Sequence, residues 1–200
     1  MNKEQKSQQK KLLKNGGLWD CIIFCRRVRD ADFDSFGKYI LSLDHLIFFD
    51  KYKFFYNIKE ADIKILEDYL LEHGVGSDFS TACGIERINK ELLQNHLLEN
   101  GDGYSCYCFA ESVKNADIKK LEKRVLQVGE PQFLYLFARH VKGSNKRKIK
   151  KRLLELDGKG GETYRMFLTF IDCYRKNFFQ RVRSWFKKLV SCLREGCKNE

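Results

Sequence analysis

Eight cysteines and four histidines are the side chains in this 200-residue sequence that suit metal binding or nucleophilic chemistry. Cys21 and Cys25 stand four apart and Cys106 and Cys108 two apart, while Cys83, Cys173, Cys192 and Cys197 are scattered. No Cys-x2-Cys and no His-x3–5-His pair is present to complete a tetrahedral zinc site. His45, His73, His96 and His140 belong to no nucleophile or metal motif. Gly158-Lys159-Gly160-Gly161 lacks the Lys-Ser/Thr that would hold a phosphate and magnesium, so it reads as a turn. The cysteines fall where a helix takes a small apolar residue, which points to buried thiols. With no secretory leader in view, disulfides are not expected. These residues predict a chain that is not an enzyme, with no cofactor, no metal and no small-molecule substrate.

The elements that carry these residues recur. Ala61-Asp62-Ile63-Lys64-Ile65-Leu66-Glu67 returns as Ala116-Asp117-Ile118-Lys119-Lys120-Leu121-Glu122, with shorter echoes at Ala31, Ile88 and Ser144. Lys11 to Gly16 matches Arg124 to Gly129, adding a partial unit at the N-terminus. Units therefore start near residues 1, 31, 61, 88, 116 and 144, about six in all, at a period of about 27 to 30 residues. Each predicts two helices. The first opens on Asp32, Asp62, Asn89, Asp117 or Asn145, side chains that accept from the free amides of a first helical turn. It closes at Gly16, Gly74, Gly101, Gly129 or Gly158, where a left-handed glycine is expected; in the unit starting near residue 31, Asp44 stands at that place. Pro131 suits the first turn of a second helix.

The second helices share a ladder: Phe24-Cys25-Val28, Phe54-Phe55-Ile58, Thr81-Ala82-Ile85, Phe109-Ala110-Val113 and Phe137-Ala138-Val141. Positions i, i+1 and i+4 lie on one helical face, so this face is the expected core. Two columns flank the ladder. Two residues after it come Arg26, Tyr56, Cys83, Glu111 and Arg139; two before it come Ile22, Tyr52, Phe79, Tyr107 and Tyr135. The first column varies in charge while its neighbours repeat, and Tyr and Arg dominate interface hot spots. The expected binding groove is accordingly Arg26, Tyr52, Tyr56, Phe79, Tyr107, Glu111, Tyr135 and Arg139, with ordinary core as the competing reading of the aromatic column.

Over roughly residues 3 to 175, these Asp/Asn, Gly and Phe-Ala positions resemble the short tandem helical repeats of uncharacterised bacterial and phage proteins. The resemblance implies an all-α fold, a right-handed α-solenoid of helix-turn-helix repeats in the style of HEAT or TPR arrays with a shorter unit. No activity comes with it.

The formal net charge of +11 is unevenly spread. Residues 1–14 carry five Lys against one Glu, a net of +4, and residues 15–141 carry 16 basic against 20 acidic, a net of −4. Residues 142–175 carry ten basic against four acidic and residues 176–200 seven against two, nets of +6 and +5. The densest cluster is Lys142, Lys146, Arg147, Lys148, Lys150, Lys151 and Arg152, read either as a solvated face or as a phosphate-contacting edge. Residues 176–200 predict a separate basic amphipathic helix. There Phe178, Val182, Trp185, Phe186 and Leu189 oppose Arg181 and Lys188, suiting a solenoid cap, a partner groove or a membrane surface.

The N-terminus has no signal-peptide core, and no apolar run approaches the roughly 20 residues of a membrane span, so a cytoplasmic location is expected. The leading expectation is a non-enzymatic protein-binding module, an adaptor or inhibitor with an unidentified protein partner. Nucleic-acid binding through the basic C-terminal region comes second, and membrane association of the last helix third.

Overall fold

The computed structural model describes residues 1–44 and 46–173, all of whose regular structure is helical. Eleven helices are α1 Lys3–Asn15, α2 Leu18–Arg27, α3 Phe33–Leu41, α4 Phe48–Asn57, α5 Ile63–His73, α6 Asp78–Ala82, α7 Lys90–Asn100, α8 Gly103–Ser112, α9 Ile118–Val128, α10 Pro131–His140 and α11 Lys146–Asp157. A twelfth, α12, covers residues 162–173 of the described chain. The chain divides into two compact units, Met1–Val128 and one beginning at Gly129. The predicted tail residues, Phe178 through Leu189, lie outside the described residues.

The helix starts follow from local chemistry. Asp32, Asp62, Asn89 and Asn145 each accept, through a side-chain oxygen, from the amide of Ser35, Lys64, Leu92 and Lys148 respectively. Asp117 does the same for Lys120 at 3.1 Å. Each bond satisfies a first-turn amide that has no intrahelical partner. A further bond ties four of these starts to an earlier segment. The cap-residue amides of Asp32, Asp62, Asn89 and Asp117 donate to Gln9 Oε1, Asp34 Oδ1, Glu67 Oε1 and Gln94 Oε1, at 3.2, 2.9, 2.7 and 2.7 Å. Gln9, Glu67 and Gln94 share one register of the repeat. In α3 that register holds Gly37, and Asp34, one turn earlier, takes over.

The helix ends depart from expectation. Gly129 and Gly158 are left-handed, with φ of +76° and +67°. Gly16, Gly74 and Gly101 instead take extended backbone, with φ of −79°, −67° and −66°. Glycine is required there for room: a Cβ at these positions would sit 2.7, 2.6 and 2.6 Å from the carbonyl oxygens of Leu12, Leu70 and Leu97. The same carbonyls accept the glycine amides at 2.7 to 2.9 Å, and the chain turns hard against the helix it leaves. α3 ends without a glycine, and a lysine from α4 serves it. Lys51, only 6% exposed, gives its ammonium to the Leu41 carbonyl at 2.7 Å and to the Tyr69 hydroxyl at 3.1 Å. A cation at a helix C-terminus complements the partial negative charge gathered there.

In the first unit, odd-numbered helices touch in succession from α1 to α9 and even-numbered ones from α2 to α8. The ladder residues lie in the core: every one is buried except Thr81. One rung is enlarged. Where the other units have Cys or Ala, Phe55 is fully buried, and its ring reaches the backbone of Gly37. A Cβ on Gly37 would stand 3.1 Å from Phe55 Cζ, so the extra ring on α4 occupies the space a side chain on α3 would fill. In the second unit, α10 packs on α11, with Phe137, Ile149, Leu153 and Phe167 fully buried.

Candidate functional site

The three consecutive even helices α2, α4 and α6 send their C-terminal ends to one cleft of about 580 Å³. Arg26 from α2, Tyr56 and Asn57 from α4, Lys59 from the following turn, and Glu86 and Arg87 from the turn after α6 line it. Its polar groups are fixed by the helix ends they serve. Arg26 Nη2 donates to Asn57 Oδ1 at 2.5 Å, and Asn57 Nδ2 donates to the Lys53 carbonyl at 2.7 Å. Arg87 closes the end of α4: Nη1 donates to the Ala61 carbonyl at 2.5 Å, and Nη2 to those of Phe55 and Ile58 at 3.1 and 2.9 Å. Those carbonyls include orphans of the last helical turn, and Arg87 satisfies them with a charge of the favourable sign.

The residues expected to form the groove separate by burial. Arg26 and Tyr56 line the cleft, with Tyr56 58% exposed, and Tyr52 stacks on Tyr56 with ring centroids 5.7 Å apart. Phe79 is buried and stacks on His96, and Tyr107 is buried on α8, so these two serve packing. Burial, reinforced by a hydrogen bond to Glu111 one turn on, pushes the Tyr107 phenol up. Tyr135 and Arg139 line a different cleft, in the second unit, with Arg165, Met166 and Phe170. There Arg139 Nη1 donates to the Tyr135 hydroxyl at 3.0 Å.

One column escaped the reading from sequence. Five residues before the ladder stand Trp19, Phe49, Gly76, Tyr104 and Gln132. Trp19, Phe49 and Tyr104 are 56%, 54% and 42% exposed, on α2, α4 and α8 of the first unit. Ile23, also exposed, lies one turn from Trp19 on α2. Gly76 is part of the same arrangement: its φ is +52°, and a Cβ there would collide with the Tyr104 ring. The shared register was visible in the sequence; that it faces solvent was not.

The basic cluster on and before α11 also sorts. Lys146 is half-buried with its ammonium 5.3 Å from the centre of the Phe170 ring, and Arg152 pairs with Glu155 at 3.3 Å. Lys151 reaches the same carboxylate at 4.0 Å. Lys142, Arg147, Lys148 and Lys150 are exposed, and among the described residues no carboxylate lies within 4 Å of their charged ends.

The cysteines of the described residues divide by exposure. Cys21, Cys25, Cys83, Cys106 and Cys108 are buried, and Cys173 is exposed. Burial pushes the Cys21 and Cys83 thiols up to about 11 and those of Cys25 and Cys106 up to about 12. At neutral pH they are thiols rather than the nucleophilic thiolates. Brief iodoacetamide treatment of the folded protein is therefore expected to alkylate Cys173 and leave these four unmodified until denaturant is added, as read by peptide mass spectrometry. No three His, Cys, Asp or Glu side chains gather as a metal site among the described residues, and no described helix is long and apolar enough to cross a membrane.

Compared with protein-family models, curated proteins and solved structures, the chain matches none.

Proposed function

We propose that this chain is a protein-binding module, a right-handed α-solenoid of short helical repeats of the kind found in uncharacterised bacterial and phage proteins, with no chemistry of its own. The succession of odd on odd and even on even helices in the first unit supports the repeat reading. The observation that carries the function is the register of Trp19, Phe49 and Tyr104. Three large aromatic side chains occupy the same repeat position on successive or near-successive even helices, and all three are solvent-exposed. The buried ladder forms the core, and these three rings stand outside it. Exposed Trp and Tyr are among the residue types that supply most binding energy at protein interfaces. The protein would act as an adaptor or an inhibitor, by occupancy alone.

A photoreactive phenylalanine analogue placed at 19, 49 or 104 in cells making the protein tests this. A discrete protein adduct is expected from each position and not from the exposed positions 119 and 123 on α9. No adduct from the three positions, or equal adducts from α9, overturns the reading.

A second reading rests on Lys142, Arg147, Lys148 and Lys150, whose lack of nearby carboxylates suits phosphate contacts. Nucleic-acid binding through this edge would weaken steeply with salt in a gel shift.

A further inference from the structure

The cleft at the ends of α2, α4 and α6 has a definite electrical character. Three cations line it, Arg26, Lys59 and Arg87, against one carboxylate, Glu86. Two of the three are held in place before any ligand arrives. Arg26 is braced through Asn57 onto the Lys53 carbonyl, and Arg87 is spread over three carbonyls. Arg26 spends one N–H on that brace, so the rest of its guanidinium fork remains for a ligand. Lys59 is exposed, with no carboxylate within 4 Å among the described residues. Beside these charges lies the ring of Tyr56, more than half exposed and stacked on Tyr52. Fixed donors bind with less ordering cost than mobile ones, and a guanidinium fork matches a carboxylate.

We propose that this cleft receives an acidic peptide segment of the protein partner, with carboxylates meeting Arg26 and Lys59 and an adjacent apolar or aromatic side chain lying on Tyr56. The inference rests on the protein-binding reading above and supplies the chemistry of what is bound. A nucleic-acid strand fits the cleft less well. The positive patch is confined to one cleft, Glu86 stands in its lining, and the unit that holds it, residues 1–128, carries 20 basic against 20 acidic residues, a net of zero. A phosphate chain leaving the cleft would run over a unit with no net positive charge to hold it, whereas a short acidic segment is contained within it.

The test is fluorescence anisotropy with a labelled random copolymer of glutamate and tyrosine. A lysine–tyrosine copolymer, polyglutamate and oligothymidylate serve as the other probes. The glutamate–tyrosine copolymer is expected to bind and the lysine–tyrosine copolymer not to. Arg26→Gln with Lys59→Gln, both at exposed positions, is expected to weaken binding by about tenfold or more. Lys148→Gln with Lys150→Gln, in the second unit, is expected to leave it within about twofold. Tyr56→Ala is expected to weaken the copolymer and leave polyglutamate unchanged. An unchanged affinity in the Arg26/Lys59 variant overturns the proposal. So does an equal loss in the Lys148/Lys150 variant, which marks unspecific charge attraction, and so does oligothymidylate held more tightly at Arg26 and Lys59 than the copolymer. Any of these, with the adducts from positions 19, 49 and 104 intact, removes the cleft's ligand and leaves the aromatic face as the binding surface. Loss of those adducts removes the protein-binding reading itself.

Discussion

Phe55→Ala is expected to destabilise the protein by about 3–5 kcal/mol, the range for removing a fully buried phenylalanine from a packed core. The reason lies on the neighbouring helix. Gly37 leaves the space that the Phe55 ring fills, so cutting the ring back opens a cavity between α3 and α4. Gly37→Ala alone is expected to destabilise as well, by about 1–3 kcal/mol, because its Cβ would press on the ring at 3.1 Å. The pair is the informative experiment. With Phe55 already alanine, the same Gly37→Ala change meets only the edge of Phe54 at 3.7 Å, an ordinary contact, and adds helix propensity, so its cost should vanish or reverse. Urea denaturation of the wild type, both single variants and the double variant should show a coupling of about 1 kcal/mol or more. Additive single costs would mean that the two positions do not compensate each other.

The second large effect is expected at Arg87. Arg87→Ala takes three bonds from the carbonyls of Phe55, Ile58 and Ala61 and should cost about 2–4 kcal/mol. Arg87→Lys should recover only part of this, because one ammonium lacks the planar fork that spans three acceptors. Glu86→Ala, an exposed neighbour, should change the denaturation midpoint little. A midpoint shift for Arg87→Ala no larger than that for Glu86→Ala would show that the carbonyls find water instead. Because Arg87 holds the end of α4, the binding role of the cleft is read from Arg26 and Lys59.

What the sequence disclosed and what it withheld differ in range. The helix starts were legible because each cap spans two or three residues: Asp32 to Ser35, Asn89 to Leu92, Asn145 to Lys148. The ladder was legible because burial follows helical spacing. The glycines were located correctly and explained wrongly at three positions, where the constraint is a carbonyl four residues back and the direction the chain takes on leaving the helix. Nothing in the sequence marks out Lys51, since only the packing of α3 against α4 brings its ammonium to a helix end without glycine. Phe79 and Tyr107 shared a register with Tyr52, yet register alone does not say which ring meets solvent. Trp19, Phe49 and Tyr104 were passed over for the same reason in reverse. Lys59, Glu86 and Arg87 sit in turns, where the repeat is least regular.

The bonds from Gln9, Asp34, Glu67 and Gln94 all point the same way: the acceptor is earlier in the chain and the amide it serves comes later. That gives the first unit a polarity. As the polypeptide leaves the ribosome, each completed segment already displays the acceptor that will receive the next helix start, so growth proceeds onto a prepared template. Loss of residues from the two ends is accordingly unequal. Trimming the later end exposes a side-chain oxygen that water can serve, whereas trimming the earlier end strips a helix start of its outside support.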